Sequence, residues 1–438
     1  MTTPSAEPPP SGRQTPSRPA SIGGRPASVP VPPRGAATGD GRPASIPVPP
    51  PDAATGDGLI VPDDGLPASA FETVRPAYGA GSLADLLPSV SAVLGVPGAP
   101  DVLALTPELD GVDRVGLLLV DGLGAYQWPL IFKHPPTRSL TSGFPSTTPV
   151  SLVTLGTGVP PGSHGVLGFT TRMPDGRLLN HIRWQDDPDP ARWQPVPTRF
   201  ERAVAAGVAA TQVTRAEFEG SGLTVAANRG ASFRGGASFD ALAAEMLAAL
   251  RAGPGLVYGY HPDLDKAGHD HGVLSPAWRA AADDVRTLVE TLVDGLPAGA
   301  ALLVTADHGQ FNAPAAERVE LSAALAEGVT AVAGEPRVRY LHVEAGARDD
   351  VRTAWRSVFG ERAWVLDRDE AIEDGWFGSV PPAHRDRIGD VVVICRGRTV
   401  SVAPGWEPPV LARMIAFHGS VTAAEMTVPL GVFVRGSG

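Results

Sequence analysis

A single cysteine, Cys395, stands among 438 residues, so no intramolecular disulfide can form and a disulfide-held fold is excluded. It lies in DVVVICRG, an apolar run that reads as a buried strand. Long hydrophobic stretches are missing too, since none approaches the roughly 18 consecutive apolar residues of a membrane-crossing helix. The opening MTTPSAEPPPSG has neither the charged n-region nor the apolar h-region of a secretory leader. A cytoplasmic protein without a membrane partner is the expectation. Positive charge is in deficit, with 36 Lys+Arg against 47 Asp+Glu and a net charge of −11. That balance argues against a nucleic-acid polymer as partner, which needs a basic surface. A small phosphate substrate remains compatible, because a bound cation sets the local field.

What is present belongs to a globular protein: 43% hydrophobic and 19% charged residues, in a chain long enough to bury a large core. The first 66 residues differ from the rest. They hold 16 of the 46 prolines, and GRPASVPVPP (24–33) recurs as GRPASIPVPP (41–50), each followed by AATGDG. So little apolar surface does not offset ordering entropy, and the segment reads as a disordered, partly polyproline-II tail. An arginine precedes Ser21, Ser28 and Ser45 by three residues, a spacing open to a basophilic kinase as well as to a plain solvated linker. The folded domain is expected over 67–438.

Within it, short apolar runs alternate with helical patterns, which predicts an α/β fold with a mostly parallel central sheet flanked by helices. Ser238 caps SFDALAAEMLAALRAG and Ser275-Pro276 opens SPAWRAAADDVRTLVETLVDGL. The polar, aromatic and proline-punctuated stretch 170–200 reads as an insertion over the site. GDVVVICRG and RTVSVAP (389–404) read as late strands forming a hairpin.

Metal-binding residue types fall where the apolar runs stop. VGLLLV (115–120) delivers Asp121. GLVYGY (255–260) delivers HPDLDKAGHDHG, with Asp265 and His269 four apart. ALLVTADHG (301–309) delivers Asp307 and His308, and LARMIAFHGS presents His418. Ligands bind at the carboxyl ends of strands in parallel α/β sheets, and a mixed set of three Asp and three His suits zinc better than magnesium or calcium. Between the first two clusters lies GFPSTTPVSLVTLGTG, where Pro149 suits the first turn of a helix and Thr148 its N-cap. A hydroxyl at such a terminus, beside a metal, is an activated nucleophile, although threonine before proline is also an ordinary cap. Thr147 is the adjacent competitor.

Taken in order, DGLG (121–124), FPSTTPVSLVTLGTG, DKAGH (265–269), ADHG (306–309) and FHG (417–419) resemble the alkaline phosphatase superfamily, and within it the nucleotide pyrophosphatase/phosphodiesterase (type I phosphodiesterase) family, over roughly 110–435. The resemblance implies an alkaline-phosphatase-like core and a hydrolase of phosphodiester or pyrophosphate bonds in small, nucleotide-type phosphate esters. It implies two divalent ions, most simply Zn2+. One would be held by Asp265, His269 and His418, the other by Asp121, Asp307 and His308 with the Thr148 hydroxyl, and Thr148 is the nucleophile. Asp265 rather than Asp263 matches the Asp-x-x-Gly-His element. Where relatives carry asparagine three residues after the nucleophile this chain has Ser151, expected to bind a substrate oxygen. His271 reads as a loop residue and His164 as part of a structural turn. Two other readings stay open: a phosphomonoesterase with an arginine clamp drawn from Arg172, Arg177 and Arg183, and a zinc-stabilised binding module without turnover. Trp184 and Trp193 are either a stacking surface for a nucleobase or the packing of a long loop.

Overall fold

The structure, a computed structural model, describes residues 61–435; the tail repeats and their serines lie outside these residues. In chain order the principal strands are β1 (Arg114–Val120), β2 (Arg138–Thr141), β3 (Ala209–Thr214), β4 (Ser232–Gly235), β5 (Gly255–His261) and β6 (Ala300–Thr305), then β7 (Val329–Glu335), β8 (Val338–Val343), β9 (Ala363–Asp367) and β10 (Val391–Cys395), and finally β11 (Thr427–Val434). The main sheet has the order β2-β11-β6-β1-β5-β3-β4. Its centre is parallel: β1 pairs with β5 and β6, and β3 with β4 and β5. Strand β11 runs antiparallel between β2 and β6. The central strands are apolar at nearly every position because both faces are covered: β6 is buried throughout and β1 everywhere but Arg114.

Helices α1 (Thr148–Thr157), α2 (Phe239–Ala252), α3 (Asp263–His271) and α4 (Pro276–Gly295) include both capped helices expected from the sequence. The Ser238 hydroxyl accepts from Ala241 N and that of Ser275 from Trp278 N, satisfying N–H groups that the helix leaves free. No helix among the described residues is long and apolar enough to cross a membrane.

Two expectations need correction. Val391–Cys395 and Val400–Val402 do not form a hairpin with each other. The first joins β8 and β9 in an antiparallel sheet of order β7-β8-β10-β9, while the second pairs in parallel with Arg318–Glu320. The left-handed Gly397 turns the chain between them, and two apolar runs around a glycine do not by themselves reveal which edges they meet. The boundary at residue 66 also falls late. Asp64 is buried and grips Arg398 at 2.6 and 2.7 Å while accepting from Asn312 N at 2.8 Å.

Candidate metal centre and nucleophile

Strand β1 lies in register with its two neighbours, Val120 opposite His261 and Leu119 opposite Thr305. Whatever follows the three strands therefore emerges at one edge. Asp121 comes directly after β1, Asp307 and His308 just after β6, and α3 begins two residues past β5, carrying Asp265 and His269 one helical turn apart. His418 arrives from the segment after Ala416–Phe417, which is paired with Phe311–Asn312.

The six side chains converge. His308 Nε2 lies 3.4 Å from Asp121 Oδ1 and 3.2 Å from Asp307 Oδ2. His269 Nε2 lies 3.0 Å from Asp265 Oδ2 and 3.2 Å from His418 Nε2, and His418 Nε2 is 3.7 Å from Asp265 Oδ1. Ligand atoms of Asp121, Asp307 and His308 fall within 4.8 Å of one another, as do those of Asp265, His308 and His418. The first group is the set expected for one ion. In the second, His308 stands within reach where His269 was expected, so its imidazole lies between the two groups.

The donor set fits a cation. Nδ1 of His269, His418 and His308 each meets a backbone carbonyl, that of Ala416 at 2.9 Å, Ser146 at 3.0 Å and Gly309 at 3.3 Å. A carbonyl only accepts, so each Nδ1 carries a hydrogen and each ring turns its Nε2 toward the centre, the orientation typical of metal-binding histidines. Asp121 Oδ1 and Asp307 Oδ2 are buried with no hydrogen-bond partner. Burial first, then the charges of Asp307 and Asp265, push the Asp121 carboxyl well above its usual range, and burial raises Asp307 as well. For Asp265 burial also opposes ionisation, but the imidazoles of His269, His418 and His308 outweigh it and hold the carboxyl low. Burial, reinforced by His308, drives His418 well below the ordinary histidine range. Carboxylates and imidazoles so crowded suit a divalent ion.

Thr148 faces this centre, its hydroxyl 3.1 Å from His308 Nε2. It is the first residue of α1 and Thr147 is the N-cap, one position earlier than expected. Thr147 is fully buried and lines neither cavity that contains Thr148, which separates the two competitors. Ser151 does not reach a substrate position. It is fully buried, with its hydroxyl 2.8 Å from that of Ser142, which donates to Asp307 O at 2.6 Å. A short side chain one turn into a buried helix meets its neighbours first, so Ser151 buttresses the Asp307 backbone.

The remaining candidates disperse. Asp263 pairs with Arg215, His271 is exposed, and His164 bonds Thr154 inside the fold. Arg177 pairs with Asp175 and Asp187 at the surface, and neither Arg172 nor Arg183 lines a cavity with Thr148. Trp184 is buried with its indole N–H on Pro188 O, and the Trp193 ring is covered by the Arg387 guanidinium, so neither ring lines a cavity with Thr148 on which a nucleobase could stack. Sequence reasoning missed Gln310, which donates to Asp265 Oδ1 at 2.9 Å, Tyr260, whose hydroxyl donates to Asp121 Oδ2, and Glu335 on the cavity wall, whose carboxyl burial pushes up to about 8. Gln310 was within reach, two residues past His308. It also explains the glycine of DKAGH, because a Cβ at Gly268 would collide with the Gln310 carboxamide.

A parallel α/β sheet whose carboxyl edge gathers these ligands beside a helix-terminal threonine belongs to the alkaline phosphatase superfamily, here as a hydrolase acting on phosphoester bonds. More narrowly, residues 134–421 match the family model for type I phosphodiesterase / nucleotide pyrophosphatase, and the chain belongs to that family. No curated protein matches it. Similar solved structures include murine ectonucleotide pyrophosphatase/phosphodiesterase 5, at 18% identity and TM-score 0.59 over 74% of this chain and 88% of that one. An inactive threonine-to-alanine variant of the murine protein, in complex with AMP, is 19% identical at TM-score 0.58 over 73% and 87%. Phosphonoacetate hydrolase from Sinorhizobium meliloti 1021, in complex with phosphonoformate, is 20% identical at TM-score 0.56 over 74% and 90%.

Proposed function

We propose that the protein hydrolyses phosphodiester or pyrophosphate bonds of nucleotide-type substrates, with Thr148 as nucleophile and two zinc ions as cofactors. The observation that carries this reading is the Thr148 hydroxyl, set at a helix N-terminus and 3.1 Å from His308 Nε2 amid the ligand cluster. Asp121, Asp307 and His308 would hold one ion, and Asp265, His269 and His418 the other, with His308 close to both. When bound, such ions neutralise phosphate charge and lower the pKa of coordinated oxygens.

The residues themselves supply position and exclusion of water. Thr148 Oγ1 attacks phosphorus as the P–O bond to the leaving alcohol or phosphate breaks, the threonine proton ends on that leaving oxygen, and a threonyl ester remains for water to cleave. The free N–H groups of the first α1 turn face the phosphoryl oxygens with a favourable dipole. A cavity lined by Thr148, Leu152, Ile182, Phe218, Leu223 and Tyr260 receives the organic part of the substrate. Its aromatic and aliphatic walls suit a nucleobase or aryl group, and the AMP complex of the murine relative supports a nucleotide.

The lining also bears on the phosphomonoesterase alternative, and on a phosphonoacetate-like substrate. Beyond histidine, Lys266 is the basic residue along the wider mouth, and its ammonium is paired with Asp270. A second negative group on the substrate thus finds no arginine clamp there. Purified protein with zinc is expected to cleave bis-p-nitrophenyl phosphate faster than p-nitrophenyl phosphate and to leave phosphonoacetate intact. Thr148→Ala should keep its zinc content and lose at least ~100-fold in turnover. Wild-type rates in that variant, or preference for the monoester, would reject the assignment.

A further inference from the structure

A second cavity, of about 460 Å³, opens where the 172–193 segment meets His342 of β8 and the stretch 383–390. It shares no lining residue with the cavities that contain Thr148. Three arginines reach its wall. Arg368 is neutralised, with Nη1 3.1 Å from Asp386 and Nη2 2.7 Å from Asp390. Arg172 and Arg387 have no carboxylate partner among the described residues. Arg387 Nη1 donates to the carbonyls of Gly165 at 2.7 Å and Trp193 at 3.1 Å, and the guanidinium lies 3.6 Å from the centre of the Trp193 ring. Burial with no compensating acid pushes its pKa down to about 10, which marks it as a desolvated cation in want of an anion.

Two neutral groups on the same wall point the same way. Trp193 and His342 are 7% and 1% exposed, yet the indole Nε1 and the imidazole Nε2 have no hydrogen-bond partner. Buried polar atoms are rarely left so. Indole nitrogen only donates, and a neutral imidazole is able to present its hydrogen at Nε2. Burial keeps His342 neutral by pushing its pKa down to about 4, with Arg172 and Arg368 adding to the effect against Asp390. Three arginines against two aspartates leave one net positive charge, enough for a small anion, and the flanking carboxylates repel a polyanion.

We propose that this cavity is an oxyanion site that takes inorganic phosphate or the phosphate group of a small monoester. Arg172 and Arg387 supply the charge, and Trp193 and His342 supply neutral donors. Four side chains able to donate match the acceptor-only surface of a phosphate group, and the two carboxylates on the wall, Asp386 and Asp390, are each engaged by Arg368. The inference does not rest on the reaction proposed above, since the metal centre contributes nothing to this wall.

The test is calorimetric titration of the full-length, zinc-loaded protein with inorganic phosphate, repeated after chelation and repeated with AMP. Phosphate binding that survives chelation and weakens ~10- to 100-fold in Arg172→Gln is the expected result. Trp193→Phe, which keeps a ring under Arg387 and removes only the indole N–H, should weaken it several-fold. Diester hydrolysis by Arg172→Gln at low phosphate should equal that of the wild type, which separates failure of this site from failure of the catalytic assignment. In the chelated protein, where the Thr148 centre is unloaded, AMP binding that is tighter than phosphate binding and weakened by Arg172→Gln identifies a monoester as the source, and the reverse order identifies free phosphate. Binding wholly abolished by the chelator, unchanged binding in Arg172→Gln, or no binding at all would overturn the proposal.

Discussion

His181 illustrates how much a single side chain imposes on this protein. It is fully buried, its Nδ1 lies 3.3 Å from Phe169 O, and its Nε2 has no partner. Burial pushes its pKa down to about 4, whereas an unfolded histidine titrates near 6.5. Between those values the unfolded chain binds the extra proton, so the stability His181 allows is complete above pH ~6.5 and is lost as pH falls toward 4. The span corresponds to about 3 kcal/mol. Denaturant midpoints from pH 7 to 4 should therefore fall less steeply in His181→Gln than in the wild type; parallel curves would refute the assignment. The metal-type residues were legible at this same scale, because carboxylates and imidazoles placed just after apolar runs have few structural uses. Ser151 was not, since its role depends on Ser142, which is near in sequence but reaches it from the residue that follows β2.

At the level of elements, strands and caps followed local rules, and pairings did not. Apolar runs such as VGLLLV and ALLVT fixed β1 and β6 together with their burial, and Ser238 and Ser275 fixed two helix starts. Which edges met depended on groups distant in sequence. The fully buried pair Arg337–Glu425 shows this. Arg337 Nε and Nη2 each donate to the Glu425 carboxylate at 2.8 Å, tying the β7–β8 turn to the helical turn Ala423–Met426. The same carboxylate accepts from Ser420 N at 2.9 Å, two residues past His418. Glu425→Ala leaves a buried guanidinium unpaired and should cost about 3–5 kcal/mol. On the proposed assignment of His418 as a ligand, it should also weaken binding of a divalent ion, measured by competition with a chromophoric chelator. A variant as stable as the wild type would show that the pair contributes little.

For the molecule as a whole, the family pattern carried the class of fold, and the metal-type side chains it singled out converge because the strands that precede Asp121, Asp265, His269, Asp307 and His308 lie in register. It did not carry the antiparallel sheet β7-β8-β10-β9, nor the way the 170–200 stretch folds. That stretch forms the hairpin Thr170–Arg172 with Leu178–Asn180 and packs both tryptophans inward. Polar composition and prolines suggested a covering loop, but burial of its aromatic residues decides its shape. The ligand cluster also predicts a global effect. Chelation should lower the melting temperature by several degrees and zinc should restore it, since a ligand that binds only the folded state adds about 4 kcal/mol at a thousandfold excess over its Kd. A melting temperature indifferent to chelator would mean that the carboxylates are accommodated without an ion.

The place of β11 has a consequence for biosynthesis. It lies inside the main sheet, bonded on one side to β2 and on the other to β6, yet the ribosome makes it after every other strand among the described residues. Until Thr427–Val434 emerges, the nascent chain carries an open slot with two unsatisfied strand borders, the kind of surface on which chains adhere to one another. His418, the last of the six clustered side chains in the sequence, lies nine residues ahead of that strand. The gathering of the six side chains and the closure of the sheet therefore both come late in synthesis, and a chaperone that shields the β2 and β6 borders would act during that interval.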